Sequence, residues 1–198
     1  KTVRTAEISR KTNETDISLK LTILEPYSKG KLTGSTGIGF FDHMLNSFAA
    51  HGGFEIDLIK VKGDLEVDGH HTAEDVGIVL GTALKKAAGD MAGIARFADI
   101  LLPMDEALTM CALDFSGRAF LAFDAHFKSG LIGQYDTQLT VEFMRALAFN
   151  AGITLHIKSL YGENDHHITE SIYKAVGKCI GKALEIHSDE IMSAKGCL

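Results

Sequence analysis

The sequence predicts an α+β fold made of two copies of one half-domain, and three observations predict it. His70-His71-x-x-Glu74 returns as His166-His167-x-x-Glu170, 96 residues later. A motif repeated in register over a long period is the mark of an internal repeat. Short segments alternate apolar and polar residues as half-buried strands do, and two longer stretches place apolar residues at helical spacing.

The elements follow in chain order. From Asp16 to Leu24, residues Ile17, Leu19, Leu21 and Ile23 share one face of a strand. Asn13-Glu14 precedes it, as Asp105-Glu106 does in the second half. A short helix carries Asp42-His43-Met44-Leu45, which aligns with Val141-Glu142-Phe143-Met144 at an offset of 99. A strand follows at Phe54-Glu55-Ile56-Asp57-Leu58, with Ile153 to Ile157 as its counterpart. Last comes a helix with Val76, Val79, Leu80, Ala83, Leu84 and Ala87 on one stripe, matched by Ile172, Val176, Cys179, Ile180 and Ala183. Gly81 with Gly177, Lys86 with Lys182 and Ala87 with Ala183 keep the 96-residue offset. Residues 1–93 and 94–198 are therefore read as two repeats within one compact domain.

Composition narrows the function. At 198 residues, 45% hydrophobic, the chain can bury a sizeable core. A net charge of −6 argues against nucleic-acid binding. No apolar run approaches the ~18 residues of a membrane span, and Lys1-Thr2-Val3-Arg4 leads into no apolar signal segment. Cys111, Cys179 and Cys197 are odd in number and widely spaced, which points to a reducing, cytoplasmic setting. Nine histidines stand out, two pairs of them adjacent.

On a helix, residues i and i+4 lie ~40° apart around the axis. His70 and Glu74 can therefore chelate one ion, as can His166 and Glu170, while His71 and His167 point ~100° away to a second ion or a substrate. Imidazole and carboxylate donors without thiolate suit Mn, Fe, Zn or Ni, with mixed N/O sites favouring Mn or Fe. The same donor set also serves hydrolytic zinc.

Phe40-Phe41-Asp42-His43-Met44-Leu45, Ala50-His51-Gly52 and Asp68-Gly69-His70-His71-Thr72-x-Glu74-Asp75 carry a resemblance. So do Tyr135-Asp136-Thr137-Gln138-Leu139, Gly152-x-Thr154-Leu155-His156, His166-His167-x-x-Glu170 and Ser193-Ala194-Lys195-Gly196. Taken together, nearly the whole chain resembles the imidazoleglycerol-phosphate dehydratases, metal-dependent lyases of histidine biosynthesis. The resemblance implies helices packed between two β-sheets, as in the second domain of ribosomal protein S5, and two Mn²⁺ per active site. It also implies a homo-oligomer of 24 chains with ligands drawn from neighbouring subunits, and no nucleic-acid or membrane partner. The implied metal ligands are His43, His70, His71, Glu74, His166, His167 and Glu170. Glu142 joins them, standing where the family often has histidine. The implied reaction removes a barely acidic carbon-bound hydrogen and expels hydroxide beside an imidazole ring. Glu14, Glu74 and Glu170 are the implied candidates for the base. Implied substrate contacts are Glu14, His43, His51, His70, Glu74, His166, Arg96, Arg118, Lys174, Ser193 and Lys195, the cationic ones facing phosphate. His126, His156 and His187 receive no role. Two other readings fit the ligand set: a metal-dependent hydrolase and a non-catalytic, metal-linked cage.

Overall fold

Apolar alternation and helical stripes sort the chain into two sheets enclosing four helices. The computed structural model describes residues 4–198. Lys1, Thr2 and Val3, on which the reading of the N-terminus partly rests, lie outside the described residues. The first half contains β1 (Arg4–Lys11), β2 (Asp16–Ile23), β3 (Lys31–Thr33), α1 (Gly39–Gly52), β4 (Phe54–Lys62) and α2 (His70–Ala88). The second contains β5 (Phe97–Met104), β6 (Ala107–Asp114), β7 (Phe120–Asp124), a small hairpin of β8 (Leu131–Ile132) and β9 (Tyr135–Asp136), α3 (Leu139–Ala151), β10 (Thr154–Tyr161) and α4 (Asp165–Ala183). The sheet orders are β1-β2-β4-β3 and β5-β6-β10-β7. In each, the last listed neighbour pairs in parallel and the others antiparallel. The two halves thus share one topology, and only β8 and β9 lack a counterpart.

The expected strands and stripes are present. Ile17, Leu19 and Leu21 are fully buried, as are Phe54, Ile56 and Leu58 or nearly so. Both helical stripes face the core. The pairing β5–β6 was harder to read because both of its faces are apolar. Ala107, Thr109, Cys111 and Leu113 point inward, while Leu108, Met110 and Ala112 occupy the outer face. Alternation, the usual signal of a half-buried strand, disappears there. The inward Thr109 hydroxyl is satisfied by Ser171 Oγ at 2.6 Å.

Helices pair across the halves, α1 on α4 and α2 on α3. Glycines allow close approach. A Cβ on Gly81 would lie 2.6 Å from the Leu147 carbonyl oxygen, and one on Gly177 would lie 2.4 Å from that of Phe48. These contacts obey the two sequence offsets together: Gly177 is 96 residues after Gly81, and Leu147 is 99 after Phe48. The two helix pairs therefore pack as equivalent units. Each first helix ends in a left-handed glycine, Gly53 at φ 72° and Gly152 at φ 71°, where a side chain would be strained. Between the pairs, Tyr135 and Tyr173 share a hydroxyl contact of 3.0 Å in full burial. Burial pushes the Tyr135 phenol up to about 12, so it stays neutral.

Candidate metal and substrate site

Helix pairing brings together residues that sequence leaves far apart. His43 on the first turns of α1 meets His166 and Glu170 on the first turns of α4. Glu170 Oε2 lies 3.0 Å from His166 Nε2 and 3.4 Å from His43 Nε2. All three ligand atoms fall within 4.8 Å of one another, the sole such grouping among the described residues. Donors ~2.0–2.2 Å from one ion stand about 3 Å apart, so the cluster suits a metal with little adjustment. Phe40 sets its edge against the His166 ring at 5.0 Å. Glu170 is 7% exposed. Burial alone would raise its pKa, but Lys174 Nζ at 2.9 Å, together with His43 and His166, holds the carboxyl below its ordinary value. Glu170 is thereby kept ionised, the form that ligates. Ser47 Oγ approaches its other oxygen at 3.4 Å.

The second motif turn is more open. His70 Nε2 and Glu74 Oε2 are 3.7 Å apart, both about half exposed. Glu142 lies on α3, the helix that packs against α2, and its carboxylate accepts from Arg145 at 2.8 Å.

The second histidine of each pair turns to a β-hairpin. His71 Nδ1 donates to Asp64 at 2.8 Å, with Glu14 of the β1–β2 hairpin 3.9 Å away. The Asp64 hydrogen bond raises the His71 pKa and lowers that of Asp64. His167 Nδ1 donates to Glu106 at 2.7 Å, and Asp105 stands 3.6 Å from Nε2, both in the β5–β6 hairpin. The His167 bond, with the backbone N–H of Asn164 next, holds Glu106 down at about 2. Asn164 also caps α4, accepting from the backbone N–H of His166 and His167.

The cations gather elsewhere. Arg96 grips Asp114 through Nε at 2.7 Å and a terminal nitrogen at 3.1 Å, and Arg118 reaches the same carboxylate at 3.3 Å. Arg96 also donates to the Met192 carbonyl, which ties the segment of Ser193 and Lys195 to the start of β5. The backbone N–H of Arg96 bonds Ala183 at the last turn of α4, ~25 Å along that helix from His166 at 1.5 Å per residue. Arg96, Arg118 and the segment carrying Ser193 and Lys195 thus gather by the C-terminal end of α4, remote from His166 and His167 at its start. Lys174 does not join them; it belongs to Glu170.

His51 occupies the last turn of α1, its Nδ1 2.8 Å from the Ser47 carbonyl oxygen. It stands ~12 Å along the axis from His43 and lines a cavity of about 1110 Å³ with Arg4, Glu25, Lys178, Lys182 and Glu185. None of the His43 cluster lines that cavity, so this cavity and the ligand cluster are in different places.

Asp64, Asp105, Asp114, Ser47 and Asn164 are the site neighbours that sequence reasoning missed. Asn164 was findable as a cap residue just before the helical run. The aspartates bear on the site only through tertiary pairing.

Comparison with known proteins gives this geometry a context. The imidazoleglycerol-phosphate dehydratase family model matches residues 36–180. The chain is 54% identical over 197 residues to the imidazoleglycerol-phosphate dehydratase of Acetivibrio thermocellus, covering 98% of this chain and 99% of the relative. It is 53% identical over 199 residues to that of Methylorubrum extorquens, covering 99% and 100%. Among solved structures, the Staphylococcus aureus subsp. aureus N315 enzyme superposes with TM-score 0.81 at 33% identity, over 92% of this chain and 99% of that one. The Pyrococcus furiosus enzyme in complex with (S)-C348 gives 0.81 at 34%, over 96% and 100%. The chain belongs to the imidazoleglycerol-phosphate dehydratase family, hydro-lyases of histidine biosynthesis.

Proposed function

We propose that this chain converts imidazole glycerol phosphate to imidazole acetol phosphate using two Mn²⁺ per active site. The observation that supports this most directly is the convergence of His43, His166 and Glu170 from two helices and two repeats. That cluster fits one ion. By analogy with it, His70, Glu74 and Glu142 are assigned to the second ion: α2 packs on α3 as α4 does on α1, and Glu142 aligns with His43, although these three do not converge within one copy. His71 and His167, turned away from these clusters, complete the ligand sets between neighbouring copies. When bound, the ions would supply Lewis-acid stabilisation; a donor set of nitrogen and oxygen without thiolate suits Mn²⁺ or Fe²⁺, and the resemblance favours Mn²⁺.

The chain's own groups do the rest. Glu14, exposed on its hairpin near His71, takes the carbon-bound proton. Glu74 and Glu170 can accept a proton only in competition with their ligand role. Lys174 keeps Glu170 ionised. Arg96 and Arg118, oriented by Asp114, hold the phosphate with Ser193 and Lys195 through charge-assisted hydrogen bonds. Arg96 is tied to the end of α4, ~25 Å along that helix from His166 and far beyond a glycerol linker, so the complete site takes its cations from another copy. This reading accords with an assembly of 24 chains, with residues 1–93 and 94–198 as its two repeats.

The test is ultraviolet absorbance of the enolised ketone product from imidazole glycerol phosphate, using EDTA-treated protein with and without Mn²⁺. Ketone is expected only with metal. Phosphate release in place of ketone supports the hydrolase reading, and full turnover by metal-free protein removes the ions from the mechanism. In calorimetric Mn²⁺ titration, Glu142→Ala weakens one of two sites and Glu142→His restores it; two unchanged sites in the Ala variant would make Glu142 a surface carboxylate.

A further inference from the structure

The two hairpins that face the motif histidines are built alike and fastened differently. Thr5–Thr22 and Lys11–Asp16 pair across β1 and β2, and Phe97–Asp114 and Pro103–Leu108 pair across β5 and β6, 92 residues further on. The tips therefore match residue for residue, Glu14 with Glu106 and Thr15 with Ala107. In the second half the glutamate itself is the fastening. Glu106 accepts from His167 Nδ1 at 2.7 Å and from the backbone N–H groups of Glu163 and Asn164 at 3.1 and 2.7 Å. In the first half, among the described residues, no hydrogen bond reaches the Glu14 carboxylate. His71 Nδ1 stands 3.9 Å from it, and the Glu14 side chain is about half exposed.

Asp75 does the fastening there. It lies on α2, one turn beyond His71 and next to Glu74, and is 6% exposed. Its carboxylate accepts from the buried Thr15 hydroxyl and faces Arg10 Nη2 at 3.7 Å, so it holds both strands of the hairpin. Thr12 stiffens the tip, its Oγ1 accepting from the backbone N–H of Glu14 at 3.1 Å and of Thr15 at 3.0 Å, a hydroxyl standing in for a backbone turn. None of this recurs in the second half. Leu102, Ala107 and Ser171 occupy the places of Arg10, Thr15 and Asp75, and Ser171 bonds Thr109 and its own helix instead. A carboxylate taken out of water costs free energy that pairing offsets only in part, and apolar replacement of buried ion pairs is often neutral or stabilising. The Asp75 arrangement is therefore a poor device for stability and a good one for position.

We infer that Asp75 is a positioning residue: through Thr15 it fixes the β1–β2 hairpin and keeps the Glu14 carboxylate beside His71 with its oxygens uncommitted. A base must sit within hydrogen-bond reach of the proton it takes, and misplacement by about 1 Å can cost ~10²-fold in rate. The two halves thus divide the work. The second hairpin uses its glutamate as the anchor; the first anchors through Thr15 and leaves Glu14 for chemistry. The kinetic part rests on the reading of Glu14 as the base; the tether does not.

Thr15→Val removes the hydroxyl at nearly constant volume. In the Mn²⁺-loaded full chain it is expected to lower kcat by about 10–10²-fold, with KM and Mn²⁺ stoichiometry unchanged. Thr15→Ser, which keeps the donor, restores kcat. The Glu14→Gln background separates positioning from structure. With the basic oxygen gone, Thr15→Val should lower kcat no further. An equal loss in both backgrounds, or a wild-type kcat in Thr15→Val, overturns the positioning role. Should Thr15→Val fail to fold, Thr15→Ala with Asp75→Ser installs the pair that the second half carries at the same place, leaves no carboxylate unpaired, and is read in the same way. Hydrogen exchange tests the tether without turnover. Amides of residues 10–16 should exchange roughly tenfold faster in Thr15→Val than in wild type or Thr15→Ser, as loss of one hydrogen bond implies, with residues 102–108 unaffected. Unchanged rates overturn the tether. If wild type makes no ketone, or Glu14→Gln keeps a normal kcat, the reading of Glu14 fails and the kinetic part with it; exchange still decides whether Asp75 holds the hairpin.

Discussion

His70 and His71 are neighbours in sequence and strangers in chemistry. One faces Glu74 along the helix, and the other donates to Asp64. The second pairing has a pH signature in metal-free protein. His71 is raised in the fold, so its contribution is fully present below the unfolded value of ~6.5 and is lost as pH rises through the raised value. Asp64 is lowered, so its contribution is present above ~3.9 and is lost as pH falls through the lowered value. The melting-temperature gap between wild type and Asp64→Asn is therefore widest near pH ~5–6 and shrinks on the alkaline side. Scanning calorimetry of EDTA-treated proteins measures it, and a gap constant with pH contradicts the pairing. Glu14 and Lys195 divide differently. Glu14→Gln keeps shape but removes the basic oxygen, so kcat falls by ~10²–10⁴ with KM little changed. Lys195→Ala mainly raises KM, by the ~1.5–3 kcal/mol of a charge-assisted hydrogen bond, with kcat falling too if phosphate binding orients the reacting carbons. Steady-state kinetics with metal content checked separates them; a Glu14→Gln enzyme of normal kcat moves the base to Glu74 or Glu170.

Among elements, the α1–α4 contact sets the distance between His43 and Glu170. Gly177→Ala tests that dependence. Alanine favours a helix interior over glycine by ~1 kcal/mol, but its Cβ would stand 2.4 Å from a backbone oxygen, and the helices must part. Overpacking costs about 1–3 kcal/mol, so the expected net effect is modest destabilisation in denaturant together with weaker binding of one equivalent in a Mn²⁺ titration. Unchanged metal affinity would show that helix spacing does not control the cluster. At this scale much was legible. Both motif helices, β2, β4 and the equivalence of Glu14 with Glu106 follow from period and offset. The β5–β6 pair escaped because Leu108, Met110 and Ala112 remove the alternation that marks a strand.

At the scale of the whole molecule, the proposed sharing of ligands between copies has a consequence. If ions bridge copies, metal stabilises the assembly by mass action. Chelation should abolish turnover and also shrink the particle, read by size-exclusion chromatography with light scattering before and after EDTA. A large particle persisting in fully metal-free protein separates assembly from metal.

Sequence alone determined the α+β class, the duplication and the His–Glu turns, because each is written in local spacing: periods of two and 3.6, and two constant offsets. It also carried the family resemblance, since the motifs lie in order along the chain. Tertiary structure alone decided which histidines meet. His43 reaches Glu170 only because glycines let α1 lie against α4, and His71 turns to Asp64 because the β4–α2 connection folds back beside it. It alone separated Arg96 and Arg118 from those histidines by the length of α4. Distance through space depends on packing between elements remote in sequence, and no local spacing encodes it.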